Sequence, residues 1–402
     1  MWFNSIKLLN KKDNPKKMEE EFWRFDEKEL RNVTEFLSKK PSRSLITELE
    51  TKFAEKFGVK YAIGMNSGTS ALDSCIHTIG IEAGDEVIVP PLSFISTAFC
   101  VLYSGGTPVF ADIDPETFTI DPEDIERKIT PKTKAIITVS IYGLSPDMDK
   151  IMEIAKKHNL MVIEDNAQCL TGKYKGRSLG TIGDLAIYSF ERTKHMTCGD
   201  GGMIITNNPD LAKKARKWGK LGYTTISADS TGAKPPAKLM QSPNFERHDE
   251  IGVNYRLQEI CAAILLAQLE KMDHFVKTRQ EIGKVYEEAV KNCEWIKTQR
   301  TPEDYEHTYF TAAMVLDTKK VSWQDFKDIY VKMGGNPFYA AWKLSYTEPI
   351  LKKLGIKGNC PVAENLQPRL MQFKTNFKSK EIAEEQAKIL KRTIERIESG
   401  IK

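Results

Sequence analysis

The sequence predicts an α/β protein: a large domain whose mostly parallel sheet lies between helices, followed by a smaller α+β C-terminal domain. Three observations predict it. Short apolar runs at 61–65, 84–91, 108–113, 135–140, 160–163 and 185–190 have the length and β-branched content of buried strands. Helix-period stretches separate most of them, and strand–helix alternation means parallel pairing through right-handed crossovers. Beyond about residue 295 the pattern changes to a strand over 307–316 and helices over 323–333 and 381–397. The expected division is therefore a large domain with an N-terminal helical arm over 1–290 and a small domain over 291–402.

Taken in order, residues 1–25 are polar and read as an irregular arm, followed by amphipathic helices over 26–38 and 44–57, joined by KKPSRS. Leu45, Leu49, Phe53 and Phe57 recur at helical spacing and belong to a core. The strand 61–65 turns through Asn66-Ser67-Gly68-Thr69-Ser70 into a helix over 71–79. A Ser-Gly-Thr turn at a helix start combines hydroxyls, N–H groups without helical partners and the positive end of the macrodipole. It suits a phosphate, and it equally suits an ordinary Ser/Thr helix cap. GDEVIVPP leads into a strand, Ser93-Phe94-Ile95-Ser96-Thr97 and a helix reaching Ser104. Helices over 122–129 and 148–158 bracket the strand 135–140.

The apolar run 160–163 then delivers Glu164 and Asp165 to a strand end, where open α/β sheets hold their ligands. Gln168 follows closely, and a strand over 185–190 precedes Lys194, which sits in a polar segment with Thr193, His195 and Thr197. An acid at a strand end with a lysine in a loop downstream suits pyridoxal 5′-phosphate (PLP): the lysine forms a Schiff base and the acid keeps the ring nitrogen protonated. Gly201-Gly202 lets the backbone pass close behind the lysine. A helix over 210–217 precedes a long loop, 222–250, in which Arg247 and His248 are candidates to meet an anionic group. A helix over 258–269 continues into another through Val290, and Phe338, Tyr339 and Trp342 resemble a wall for a sugar and equally suit a core.

Composition narrows the class. A net charge of +4 over 402 residues, with 41% hydrophobic and 28% charged residues, describes an ordinary globular protein and argues against a nucleic-acid partner. The seven cysteines show no paired spacing, which predicts reduced thiols and a cytoplasmic protein; no metal-ligand set stands out. No apolar h-region precedes residue 17 and no run approaches a membrane span, so neither a signal peptide nor a membrane helix is expected. No internal repeat or low-complexity segment is present.

The ordered motifs go further. SGT…AL (67–72), GDEVI (84–88), P-x-F-x-D-I (108–113), EDxAQ (164–168), SF-x3-K (189–194), GDGG (199–202) and NYRL-x-E-x-x-AA (254–263) resemble the DegT/DnrJ/EryC1/StrS-type sugar aminotransferases, which have the PLP fold type I. The resemblance implies a transaminase in which Lys194 holds PLP and shuttles the proton, and Asp165 pairs with the ring nitrogen. It implies that Ser67, Gly68, Thr69 and Ser70 form the phosphate turn, with Ser189 as a second phosphate hydroxyl. Gln168 would meet the phenolic oxygen, and Phe94 would stack on the ring. Asn254 and Arg256 would reach the phosphate of the neighbouring subunit, making an obligate homodimer with shared sites. The expected substrates are glutamate as amino donor and a keto-sugar, nucleotide-linked or phosphorylated, with His195, Arg247, His248 and Tyr339 as candidate sugar contacts. Relatives that dehydrate sugars have His in place of Lys194 and share the following His-Met-Thr, so a PLP-dependent sugar dehydratase is one alternative, and a non-catalytic PLP-binding regulatory protein another.

Overall fold

The computed structural model describes residues 23–38, 44–229 and 237–400. Most of the expected arm over 1–25, residues 39–43 of the KKPSRS link and residues 230–236 of the 222–250 loop lie outside these residues. The chain first lays down helices Glu27–Ser38 and Leu45–Phe57. Ser44 caps the second by accepting from the Thr47 N–H, and Gly58 ends it in the left-handed region at φ 66°.

The strands that build the main sheet are β1 (Tyr61–Met65), β2 (Glu86–Val89), β3 (Thr107–Phe110), β4 (Thr133–Val139) and β5 (Met161–Asp165). After the two-residue strands β6 (Lys173–Tyr174) and β7 (Arg177–Ser178) come β8 (Leu185–Ser189) and β9 (Gly202–Thr206). Their order in the seven-stranded sheet is β1-β9-β8-β5-β4-β2-β3. Only β9 runs against the rest, pairing antiparallel with β1 and β8. Neighbouring side chains go to opposite faces, as a pleated strand requires: Val87 and Val89 join one apolar cluster while Ile88 joins another, and Ile163 and Val162 divide the same way. Helices Gly68–Thr78 and Met148–His158 cover the two faces, which is why these strands are apolar throughout.

This topology positions the site. Because β1, β2, β5 and β8 share one direction, segments 66–70, 93–97, 165–168 and 189–194 all emerge at the same edge of the sheet. The pleat also separates the two acids at the end of β5. Glu164 turns to the other face and accepts the N–H groups of Gly180 (2.7 Å), Ile182 (2.9 Å) and Gly183 (2.6 Å), pinning the loop before β8. Asp165 is left facing the cleft edge.

The remaining chain runs through helices Glu259–Glu270 and Met272–Val290 to β10 (Ile296–Thr298), β11 (Tyr305–Glu306) and β12 (Thr311–Leu316). Helix Trp323–Lys332, β13 (Tyr339–Ala340), β14 (Leu370–Lys374) and helix Lys380–Glu398 follow. β10, β12, β14 and β13 form an antiparallel four-stranded sheet in that order. Its core draws Ile282, Tyr286 and Val290 from the long helix together with Met314, Phe326, Phe373 and Leu390. The expected strand over 307–316 begins at Thr311, because Thr308 and Tyr309 are held by the 143 turn and by His307 instead. β10, β13 and β14 and the short helices Pro349–Lys353 and Pro361–Leu366 had no recognisable sequence period.

Gly202 is a tight joint between β9 and the turn after β1. A Cβ there would lie 2.3 Å from the Ser67 carbonyl oxygen and 2.9 Å from the Gly68 nitrogen, both backbone atoms of the turn after β1. Gly202→Ala should therefore cost about 1–3 kcal/mol of stability or more, seen as a lower urea midpoint with an unchanged slope.

Candidate active site

Residues 66–70 start helix Gly68–Thr78 with a reciprocal cap. The Ser67 hydroxyl accepts from the Ser70 N–H (3.1 Å), and the Ser67 N–H donates to the Ser70 hydroxyl (3.0 Å), which itself donates to Asn66 Oδ1 (2.6 Å). The cap reading of the turn is realised: Ser67 and Ser70 hold the helix start, while Thr69 turns to Ser96, hydroxyl to hydroxyl at 2.7 Å. The first-turn N–H groups of Gly68 and Thr69 have no partner inside the helix. Gly68 is pressed on Ser189, and a Cβ would come within 2.8 Å of the Ser189 Cβ. The hydroxyls of Ser96 and Thr97 were missed in the sequence. At the start of helix Ser96–Tyr103 they read as ordinary helix-start hydroxyls, the commoner role of Ser and Thr there.

Asp165, only 5% exposed, accepts the Ala167 N–H on Oδ1 (3.1 Å) and the Thr97 hydroxyl on Oδ2 (3.2 Å). Thr97 is fixed in turn by Ser93 at 2.8 Å. Burial pushes the Asp165 carboxyl above its ordinary range, opposed by the Ala167 N–H, the Lys194 ammonium and Thr97. Lys194 is affected in the mirror sense: burial lowers it, Asp165 and Glu191 pull it back up, and the Arg279 guanidinium lowers it again. Its ammonium lies 4.7 Å from the centroid of the Phe310 ring. Two buried arginines grip the main chain that carries it: Arg24 donates to the carbonyls of Arg192 and Lys194, and Arg279 to those of Thr193 (2.8 Å) and Lys194 (3.2 Å).

The other predicted residues fall into two groups. Gln168 is at the site's edge, its Oε1 accepting the N–H of Tyr142 (2.8 Å), a residue held at φ 60°. Phe94 is half exposed and meets Trp342 edge-on at 5.5 Å, and Tyr339 is 70% exposed on β13. Asn254 and Arg256 are exposed on a segment that runs beside the 65–66 turn, through the Asn66 N–H to the Tyr255 carbonyl (2.8 Å) and a bridge between Met65 and Arg256. His195 is turned inward instead: it is buried and its Nε2 donates to the Thr308 carbonyl (3.0 Å), with burial holding the ring well below its usual pKa. The sugar contact expected of His195 needs an accessible ring, and this one is spent on the core. Arg247 donates to the carbonyls of Met240 (2.8 Å) and Phe245 (3.2 Å), and His248 to that of Leu221 (2.6 Å), so in this chain both brace their own loop.

A buried carboxylate and a partly buried amine of opposite charge preference stand near a hydroxyl-lined helix start that can receive a phosphate. The donor set of a buried acid, an amine and a hydroxyl-bearing helix start fits PLP, the cofactor of the PLP-dependent aminotransferase class. The model of the DegT/DnrJ/EryC1/StrS aminotransferase family matches residues 24–391, and the chain belongs to that family. It is 39% identical over 273 residues to the GDP-perosamine synthase of Escherichia coli O157:H7, covering 68% of this chain and 70% of that protein. With the GDP-perosamine synthase of Caulobacter vibrioides it shares 44% over 245 residues, 61% of this chain and 62% of that protein. The X-ray structure of the aminotransferase from Psychrobacter cryohalolentis superposes with a TM-score of 0.83 at 31% identity, covering 94% of this chain and 98% of that one. The protein is a PLP-dependent sugar aminotransferase.

The raised Asp165 has a consequence for the cofactor-free protein. A folded pKa above the unfolded one means that ionised Asp165 opposes folding, increasingly as pH rises through the folded value. Without PLP, Asp165→Asn should therefore melt above the wild type at pH 8, with the difference shrinking toward pH 4. Differential scanning calorimetry across that range checks both the sign and the trend.

Proposed function

We propose that the protein transfers the amino group of glutamate to a nucleotide-linked keto-sugar, in amino-sugar biosynthesis that supplies a polysaccharide. The observation that carries this reading is the placement of Asp165 and Lys194 at one sheet edge, beside the Ser67–Ser70 turn. The nucleotide carrier is supported by the two relatives named for GDP-perosamine.

When bound, PLP supplies an electron sink for the bond broken at the donor's α-carbon. The chain does the rest. Lys194 would hold the cofactor covalently and, once freed by the donor, would carry the proton from that carbon to the C4′ position of the cofactor. Asp165, already dry and fixed by Thr97 and Ala167, would hold a proton at the ring nitrogen. Thr69, Ser189 and the helix start would bind the phosphate, Gln168 the phenolic oxygen, and Phe94 one face of the ring. Tyr339 and Trp342 would border the sugar. Asn254 and Arg256, exposed in a single chain, would complete the phosphate site of a second subunit in a homodimer.

The His195-Met196-Thr197 likeness to sugar dehydratases carries no argument for elimination, because all three residues are buried and Thr197 is bonded to the Phe190 carbonyl (2.9 Å). We keep the division into 1–290 and 291–402 as part of the same proposal. A cytoplasmic location is supported by seven free cysteines, five of them buried, while no helix among the described residues is long and apolar enough to cross a membrane.

Borohydride reduction of the PLP-loaded protein should fix the label on Lys194, and glutamate alone should release 2-oxoglutarate without any sugar present. A label on Lys173 or Lys175, or a deoxy-sugar product without an amino-sugar, would overturn the assignment. For the shared site, Arg256→Ala and Lys194→Ala should each be inactive, and mixing them should restore up to about a quarter of wild-type activity through heterodimers with one intact site. Demonstrated exchange without recovery would return Arg256 to its own subunit.

A further inference from the structure

Arg279 lies in the middle of helix Met272–Val290 and is fully buried. Its Nη1 donates to the Phe310 carbonyl (2.8 Å) and, more weakly, to the Thr375 hydroxyl (3.5 Å). Its Nη2 donates to the carbonyls of Thr193 (2.8 Å) and Lys194 (3.2 Å). Among the described residues no carboxylate lies within ion-pair distance, so the charge is solvated by carbonyl and hydroxyl dipoles and by the Phe310 ring. A buried cation held that way is expensive, and an apolar side chain of similar volume would ordinarily be cheaper. The Phe310 ring bridges the two cations: its centroid is 4.7 Å from the Lys194 ammonium and 5.6 Å from the Arg279 guanidinium carbon.

We propose that Arg279 is the positioning residue for Lys194, its planar fork tying the carbonyls of 193 and 194 to that of Phe310 at the start of β12 and so fixing where the amine stands. The two fragments it joins come from different sheets, so the lysine's position depends on how the C-terminal sheet is seated. Arg24 reaches the Lys194 and Arg192 carbonyls from the N-terminal turn and shares the task.

Charge follows from the same geometry. Around the Lys194 amine stand Asp165 from the end of β5, Glu191 on its own loop, Arg279 from the helix, and Arg24 and His195 nearby. Burial and Arg279 favour the neutral amine, and the two acids oppose them. Burial beside another cation moves the amine toward its neutral, nucleophilic form.

The inference rests on Lys194 being the cofactor lysine, which the borohydride label tests separately. The experiment compares PLP-loaded wild type, Arg279→Gln and Arg279→Lys by pH titration of the visible absorption band and by visible circular dichroism. Arg279→Gln keeps a donor and loses the charge, so the titration midpoint should rise by about one pH unit. Arg279→Lys keeps the charge and loses the fork: the midpoint should stay, while the visible dichroism falls by about half and the glutamate half-reaction slows about tenfold. A wild-type midpoint in Arg279→Gln together with full dichroism in Arg279→Lys would overturn the proposal. Should Arg279→Gln fail to fold, wild-type dichroism and rate in Arg279→Lys overturn it alone.

Discussion

An amine and a carboxylate withdrawn from water at one sheet edge are the constraint around which the rest of the molecule is arranged. Burial pushes Asp165 and Lys194 each toward the neutral form, and their mutual attraction only partly offsets it. Such a pair persists only if its surroundings are rigid and polar in the right places. Thr97 and the Ala167 N–H serve the acid; Phe310 and the main-chain clamp of Arg24 and Arg279 serve the lysine.

The sheet provides the rigidity. Four same-sense strands bring four loops to one edge, and the antiparallel strand β9 closes behind them so tightly that Gly202 touches the backbone of the Ser67 turn. Close approach of this kind makes the loops one unit: the helix start, Ser189 and the lysine loop cannot shift separately. It also explains the division of labour between adjacent acids on β5. The pleat sends Glu164 to three loop N–H groups and Asp165 to the opposite face, where it meets Ala167 and Thr97, so adjacent carboxylates have separate partners.

Beyond the cofactor pocket the architecture is more open. Phe94 past β2 and the Tyr339–Trp342 stretch, distant in the chain, present exposed aromatic surface, with Phe94 edge-on to Trp342. The 222–250 loop, by contrast, is fastened to the body at its base, where Lys217 pairs with Asp249 (2.7 Å) and Glu250 (2.9 Å). Its Arg247 and His248 are used on nearby carbonyls.

Much of this was legible in the chain. Apolar runs of strand length alternating with helical periods announce a parallel sheet, because burial on both faces leaves no other pattern, and a strand ending in Glu164-Asp165 marks an acid at a ligand-bearing edge. The turn at 67–70 declared its cap, since the capping hydroxyls of Ser67 and Ser70 are local to it. The C-terminal strands β10, β13 and β14 were not legible, being short and apolar only where long-range packing demands it. Nor was the fate of His195. Its neighbours in sequence are polar, and only the fold brings the Thr308 carbonyl against its ring. The clamp on Lys194 lay furthest from view: Arg24, Arg279 and Phe310 are separated from the lysine by tens of residues or more, and a guanidinium that solvates its charge on carbonyls leaves no acidic partner in the sequence to betray it. Local chemistry determined which residues could react; tertiary packing alone decided which of them were held, and by what.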